Sequence, residues 1–123
     1  MKDALTVLFG EDDVICQHSD PMRYPFACDF YVKSLDLFIE CNFHWTHCGH
    51  FFDQHNVDDV SKLNKLKVKA AEKRKTQKKN LYETAIDVWT ARDPKKLHTA
   101  LENRLNYLVF WTLDEALKWL ESK

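Results

Sequence analysis

The stretch that most constrains this chain is residues 28–50, CDFYVKSLDLFIECNFHWTHCGH. Residues 28–32 and 37–41 are rich in Phe, Tyr, Val, Leu and Ile, which suit a pleated, half-buried surface, so they predict two strands joined at Ser34-Leu35. A hairpin closed by Lys33 and Asp36 sets Asp29 directly opposite Glu40, with Cβ atoms roughly 5 Å apart on one face. Asn42, two residues beyond Glu40, points to the same side. Carboxylates side by side on neighbouring strands repel each other, and a divalent cation resolves the conflict. Mg²⁺ or Mn²⁺ held by one or two carboxylates, water and phosphate oxygens has the geometry of phosphodiester hydrolysis. The plain alternative is a half-solvated hairpin with scattered surface acids.

Directly after Asn42 come His44, Trp45, His47 and His50. The unperturbed pKa of histidine suits proton transfer near neutrality, so His47 is expected as general base or orienting donor, with His44 its competitor. The same segment also supports a different chemistry. Cys41, His44, His47, Cys48 and His50 offer five soft or borderline ligands in ten residues, the makings of a Zn²⁺-stabilised nucleic-acid-binding module without catalysis. Structural zinc sites usually join two separated knuckles, however, and Cys41 on the apolar face of its strand is more simply a core thiol.

Asp29-Phe30 on one strand, followed by Glu40-x-Asn42 on the next, resembles the PD-(D/E)xK nuclease motif with Asn42 at the usual lysine place. Asp29-Phe30, Phe43-His44-Trp45-Thr46-His47 and Arg92-Asp93 together resemble the very-short-patch-repair-type endonucleases and their homing and phage-encoded relatives, over roughly residues 10–111. The resemblance implies an α/β, restriction-endonuclease-like fold: an α-β-β-β-α-β core with a mixed central sheet flanked by helices, and an extra C-terminal helix. It implies a Mg²⁺-dependent (or Mn²⁺-dependent) DNA endonuclease with Asp29 and Glu40 as metal ligands and Asp93 fixing a catalytic histidine. It also implies an acidic residue from the first helix that assists the metal, for which Glu11 is the nearest candidate and Gln17 the alternative. Two departures stand out. Asn42 cannot carry a lysine's charge, and the family's Trp-His is here Trp45-Thr46-His47, which leaves His44 and His47 both in play. A degenerate nuclease that binds DNA without cutting it shares all these features.

At 123 residues the chain has room for one domain, expected to span residues 1–123. With 45% hydrophobic and 13% aromatic residues it is no disordered tail. No apolar run approaches the roughly 20 residues that cross a bilayer, and the acid-flanked N-terminal segment does not read as a secretory signal. The expected setting is therefore the cytoplasm of a bacterium or phage-infected cell, with no membrane partner. Four cysteines without a CxxC pair agree with a reducing compartment. The formal net charge of -1 decides nothing, but its distribution does. Nine cations, Lys62, Lys65, Lys67, Lys69, Lys73, Arg74, Lys75, Lys78 and Lys79, are opposed locally by Glu72 alone. A one-signed cluster repels itself unless a polyanion is near, which points to DNA phosphates as the partner. Monomer and homodimer are both compatible with the sequence.

The remaining elements follow from caps and spacing. Residues 3–9 predict a short helix ended by Gly10, and residues 14–17 a brief strand. Pro21 and Pro25 bracket an extended lead into a strand beginning near Phe26. Asn56 is the expected N-cap of the basic helix. Residues 81–90 fit helix or strand equally. Asp93 as N-cap with Pro94 at the first position starts a helix over about 94–104. Residues 107–111 read as a buried central strand, and Thr112 with Glu115 forms a capping box for a last helix.

Overall fold

The computed structural model describes every residue from Met1 to Lys123. In chain order the elements are α1 (Lys2–Phe9), β1 (Val14–Asp20), β2 (Tyr24–Val32), β3 (Leu37–Cys41), α2 (Val57–Arg74), α3 (Leu81–Asp87), α4 (Asp93–Glu102), β4 (Asn106–Phe110) and α5 (Leu113–Glu121). The four strands form one sheet in the order β1-β2-β3-β4. β1, β2 and β3 pair antiparallel and β4 runs parallel to β3, so the protein is mixed α/β with a mixed sheet. The chain divides into two compact units, one of Met1–Phe43 with Lys96–Lys123 and the other of His44–Lys95. No helix is long and apolar enough to cross a membrane.

In the first unit the β2–β3 hairpin has the expected register, with Phe30 opposite Ile39, Tyr31 opposite Phe38 and Val32 opposite Leu37. A short turn at Lys33–Leu35 closes it, and Asp36 takes the left-handed conformation (φ 46) that reverses the chain. β3 is buried on both faces. Leu37 and Ile39 pack with Leu5 of α1, Val32, Phe110 and Ala116 of α5, whereas Phe38 packs on the other face with Tyr24, Cys28 and Ala100 of α4. Fully burying Phe38 and Ile39 contributes about 1.5–3 kcal/mol each. Because side chains alternate along a strand, Glu40 shares the face of Phe38 and lies beneath α4.

Two expectations for this unit need correction. The segment between Pro21 and Pro25 is not an extended lead. The Asp20 carboxylate accepts the N–H groups of Met22 and Arg23 at 3.1 and 3.2 Å, which folds residues 20–23 into a tight turn and starts β2 at Tyr24. Nor is the apolar strand at residues 106–110 central: β4 ends the sheet order. Its apolar run arises because Leu108 and Phe110 pack into the core with Trp119 of α5, while Tyr107 packs on the opposite face beside Tyr24.

In the second unit α2 is capped as expected, the Asn56 side chain accepting the N–H of Asp59 at 3.1 Å. Leu66, Cys48 and the wholly buried Trp89 form the core with Phe52, Leu63, Tyr82 and Ile86, and the Trp89 indole N–H donates to the His50 carbonyl at 2.9 Å. The undecided residues 81–90 are helical. Asn80 caps α3, which passes through a π-helical turn at Val88–Arg92 directly into α4. Asp93 is therefore inside a continuous helix (φ -62, ψ -46) and not its N-cap, because the π turn supplies the preceding helical backbone that an N-cap lacks.

Candidate active site

Main-chain pairing of β2 with β3 ends at Phe30 and Ile39, and there two carboxylates take over the ladder. The Asp29 N–H donates to Glu40 Oε1 at 2.8 Å, and the Cys41 N–H donates to Asp29 Oδ2 at 2.7 Å. Each acid thus accepts from the opposite strand's backbone, which fixes both carboxylates side by side. Glu40 Oε2 accepts two further hydrogen bonds, from the Tyr24 hydroxyl at 3.1 Å and from Lys96 Nζ of α4 at 2.8 Å. The Glu40 side chain is 3% exposed and that of Lys96 16%. The conflict between the two acids is therefore already relieved by the Lys96 ammonium and two backbone donors. A cation is not required to explain why they are adjacent.

Burial is the largest influence on Glu40 and pushes its pKa up, with the Asp29 charge adding to it; Lys96 pulls the other way without cancelling the rise. Burial likewise drives up the Tyr24 hydroxyl, followed by the charge of Glu40, so Tyr24 stays a donor. The thiols of Cys28 and Cys41 are pushed up to about 12 by burial, the neighbouring carboxylates adding to it. Both remain neutral core thiols at physiological pH.

Gln17, not Glu11, reaches this cluster. Its backbone adopts a left-handed conformation (φ 52) in the middle of β1, and its side-chain amide donates a long hydrogen bond, 3.5 Å, to Asp29 Oδ1. Such a conformation costs a non-glycine residue about 1–3 kcal/mol and tends to gather at functional sites. Glu11 lies exposed in the turn Glu11–Asp13. Asn42 is buried, with its N–H on the Phe110 carbonyl at 2.8 Å, and the amine at Glu40 comes from Lys96 instead.

In the second unit His47 Nδ1 lies 2.7 Å from Asp93 Oδ2, with Asp93 3% exposed and His47 22%. A carboxylate can only accept, so Nδ1 carries the proton and Nε2 is the nitrogen free to take one. His44 is used differently: its Nδ1 accepts the Thr46 N–H at 3.4 Å and caps the turn Trp45–His47. The carboxylate-oriented histidine is thus His47.

The suggested zinc ligands have other partners. His47 is on Asp93, Cys48 is buried with its thiol toward the Thr46 carbonyl, and His50 Nε2 lies 2.7 Å from Asp59 Oδ1. No three His, Cys, Asp or Glu side chains converge as a metal-holding group. No protein family, curated protein or solved structure matches the chain.

Asp59 ties the loop before α2 to the helix. Burial pushes its pKa up, but the Asp53 N–H, 3.0 Å from Oδ2, and His50 outweigh that and leave it lowered. A lowered carboxylate contributes stability above the ordinary carboxylate range and loses it as pH falls through the folded-state value. Asp59→Asn is expected to cost about 1–2 kcal/mol at pH 7 in urea denaturation, with the gap from the parent protein closing as the medium is acidified through the carboxylate range. A gap unchanged by acid would mean that the Asp59 charge contributes nothing.

Proposed function

We propose that this protein is a metal-dependent DNA endonuclease of the restriction-endonuclease-like type, nearest to the very-short-patch-repair and phage homing enzymes. The observation that carries the reading is the cluster itself: Asp29 and Glu40 locked together at the end of a hairpin, with the Lys96 ammonium 2.8 Å from Glu40. Two carboxylates and a lysine in the first unit match the chemistry of the motif, the lysine reaching the acids from α4 and not from the position of Asn42. The order α1, β1–β3, three helices, β4 and α5, with a mixed sheet, is compatible with an α-β-β-β-α-β core.

The donor set suits a hard cation. Asp29 Oδ1 carries only the long bond from Gln17, and the donor on Glu40 most able to yield is Lys96, on its flexible stem. Asp29 and Glu40 would hold Mg²⁺ or Mn²⁺. Such an ion would supply Lewis acidity, polarising a phosphate and lowering the pKa of a water so that hydroxide is available as the nucleophile. Lys96 supplies positive charge for the phosphate oxygens. Of the two histidines that the resemblance leaves in play, His47 takes the acid–base role, because its bond to Asp93 sets the tautomer that role needs. Asp93→Asn removes the negative charge and offers an amide N–H that can donate to Nδ1 and select the other tautomer, so cleavage is expected to fall about 10²–10⁴-fold with the fold retained. Undiminished cleavage by this variant would exclude His47 as the base.

DNA is the substrate class that the basic helix favours. Lys62, Lys65, Lys69 and Lys73 are exposed and spaced along one side of α2. Lys62 lies over the Trp89 ring and Lys69 over the Tyr82 ring, while Arg74 is paired with Glu83 at 3.1 Å. Reversing Lys65, Lys69 and Lys73 to Glu is expected to weaken duplex binding regardless of sequence. It should also reduce the slope of log K against log salt by about 2.7, at roughly 0.9 for each phosphate that is no longer neutralised. An unchanged slope would mean that DNA does not follow this stripe. The hydrolytic half of the proposal is tested by metal-dependent nicking of supercoiled plasmid.

One observation favours the non-catalytic alternative, a DNA-binding module. Glu40 is satisfied by Lys96, Tyr24 and the Asp29 N–H with no ion bound, so the cluster has a structural use as well.

A further inference from the structure

Glu40 is gripped on both of its oxygens by β2 alone. The Asp29 N–H holds Oε1 and the Tyr24 hydroxyl holds Oε2, so the carboxylate's rotation is set before Lys96 adds its bond from α4. The Tyr24 ring is wholly buried and confined by three aromatic neighbours, Phe26 edge-on at 5.0 Å, Phe38 at 5.4 Å and Tyr107 at 5.5 Å between centroids. Its hydroxyl lies 3.0 Å from that of Tyr107. An ionised Glu40 can only accept, which commits the Tyr24 proton to Glu40 and makes Tyr107 the donor to Tyr24. The result is a directed chain, Tyr107 to Tyr24 to Glu40, built from packed rings of two strands of the sheet.

We propose that Tyr24, backed by Tyr107, is the positioning residue that holds Glu40 in its ion-binding orientation, leaving Lys96 free to withdraw from the carboxylate. This rests on the ion-holding reading of Asp29 and Glu40. Its physical content is a division of labour. The rigid donors keep the carboxylate aimed, and the flexible donor supplies a charge that can be exchanged for that of a cation. Removing Lys96 therefore leaves the carboxylate in place and in greater need of a cation. Removing the Tyr24 hydroxyl lets the carboxylate turn while Lys96 still competes for it.

The test is Mn²⁺ binding, read from the paramagnetic resonance of free Mn²⁺, on the whole chain as wild type, Tyr24→Phe, Tyr107→Phe and Lys96→Met, with Asp29→Asn as background and near-UV circular dichroism confirming the fold of each. Tyr24→Phe is expected to raise the Mn²⁺ dissociation constant about tenfold or more, as loss of a partner that orients a metal ligand typically does. Tyr107→Phe, one step further away, should raise it by less, and Lys96→Met should bind Mn²⁺ at least as tightly as wild type. A Tyr24→Phe dissociation constant within twofold of a measurable wild-type value would overturn the proposal and leave the ion-holding reading intact. So would a loss in Lys96→Met equal to that in Tyr24→Phe. Wild-type binding no stronger than that of Asp29→Asn would instead overturn the ion-holding reading and this inference with it.

Discussion

Replacing Lys96 with methionine is expected to cost the protein about 3 kcal/mol of stability near neutral pH, because it strands a buried charge. Glu40 is 3% exposed, and its other donors, the Tyr24 hydroxyl and the Asp29 N–H, are neutral. Methionine keeps most of the lysine stem's packing, so the loss reports the ammonium itself. Glu40→Gln in the same background should restore much of the stability, since it removes the charge left without a partner. The comparison is made by urea denaturation of the wild type, both single variants and the double variant. Four equal values would place the pair among exposed ion pairs, which contribute about 0–1 kcal/mol.

If the chain is the nuclease proposed above, Asp29→Asn is expected to lower cleavage about a thousandfold or more while barely changing the fold. The amide is the same size as the carboxylate and keeps an oxygen for the Cys41 N–H, so the end of the hairpin stays closed. What disappears is one negative charge at the oxygen with the most free capacity, Oδ1. Losing a cation's anchoring charge removes several kcal/mol of transition-state stabilisation, and each 1.36 kcal/mol is a factor of ten in rate. Glu40→Ala is the less informative variant, because it leaves the Lys96 ammonium, 16% exposed, without its partner and mixes instability with lost chemistry. Asp29→Asn with unaltered kcat would show that cleavage does not pass through this carboxylate.

The sequence is most legible where local chemistry decides the outcome. The β2–β3 register follows from two apolar strands and a short turn, and the placement of Asp29 beside Glu40 follows from the register. The caps at Asn56 and Thr112 act within one helical turn and are both present, their side chains accepting from Asp59 and Glu115. Lys96 is not legible, because its partner lies 56 residues earlier and a lysine in an amphipathic helix reads as a solvated charge. A signal does exist: Glu40 sits in an otherwise apolar strand and needs a counter-charge once that strand is buried on both faces. The resemblance implies that Asp93 fixes a histidine but leaves His44 and His47 both open, and locally Asp-Pro reads as a helix start; the pairing with His47 comes from the structure. The π turn at Val88–Arg92 that overrides that reading carries the buried Trp89 and runs into the buried Asp93, an irregularity that spacing alone does not encode. The position of β4 escapes the sequence because an apolar run does not say how completely its strand is buried: β4, at the end of the sheet order, buries only Phe110 fully and half-buries Tyr107, Leu108 and Val109, whereas Leu37–Glu40 of β3 are all buried.

The proposed activity is hydrolysis of DNA with a divalent cation held at Asp29 and Glu40. Its most direct test is incubation of purified wild-type protein with supercoiled plasmid in parallel reactions containing Mg²⁺, Mn²⁺ or EDTA, followed by gel electrophoresis of the plasmid forms. Conversion to open-circular or linear DNA is expected with either ion and none with EDTA. Plasmid that stays supercoiled under both ions, although the protein binds it, would contradict the claim and leave a DNA-binding module whose buried acids serve the fold.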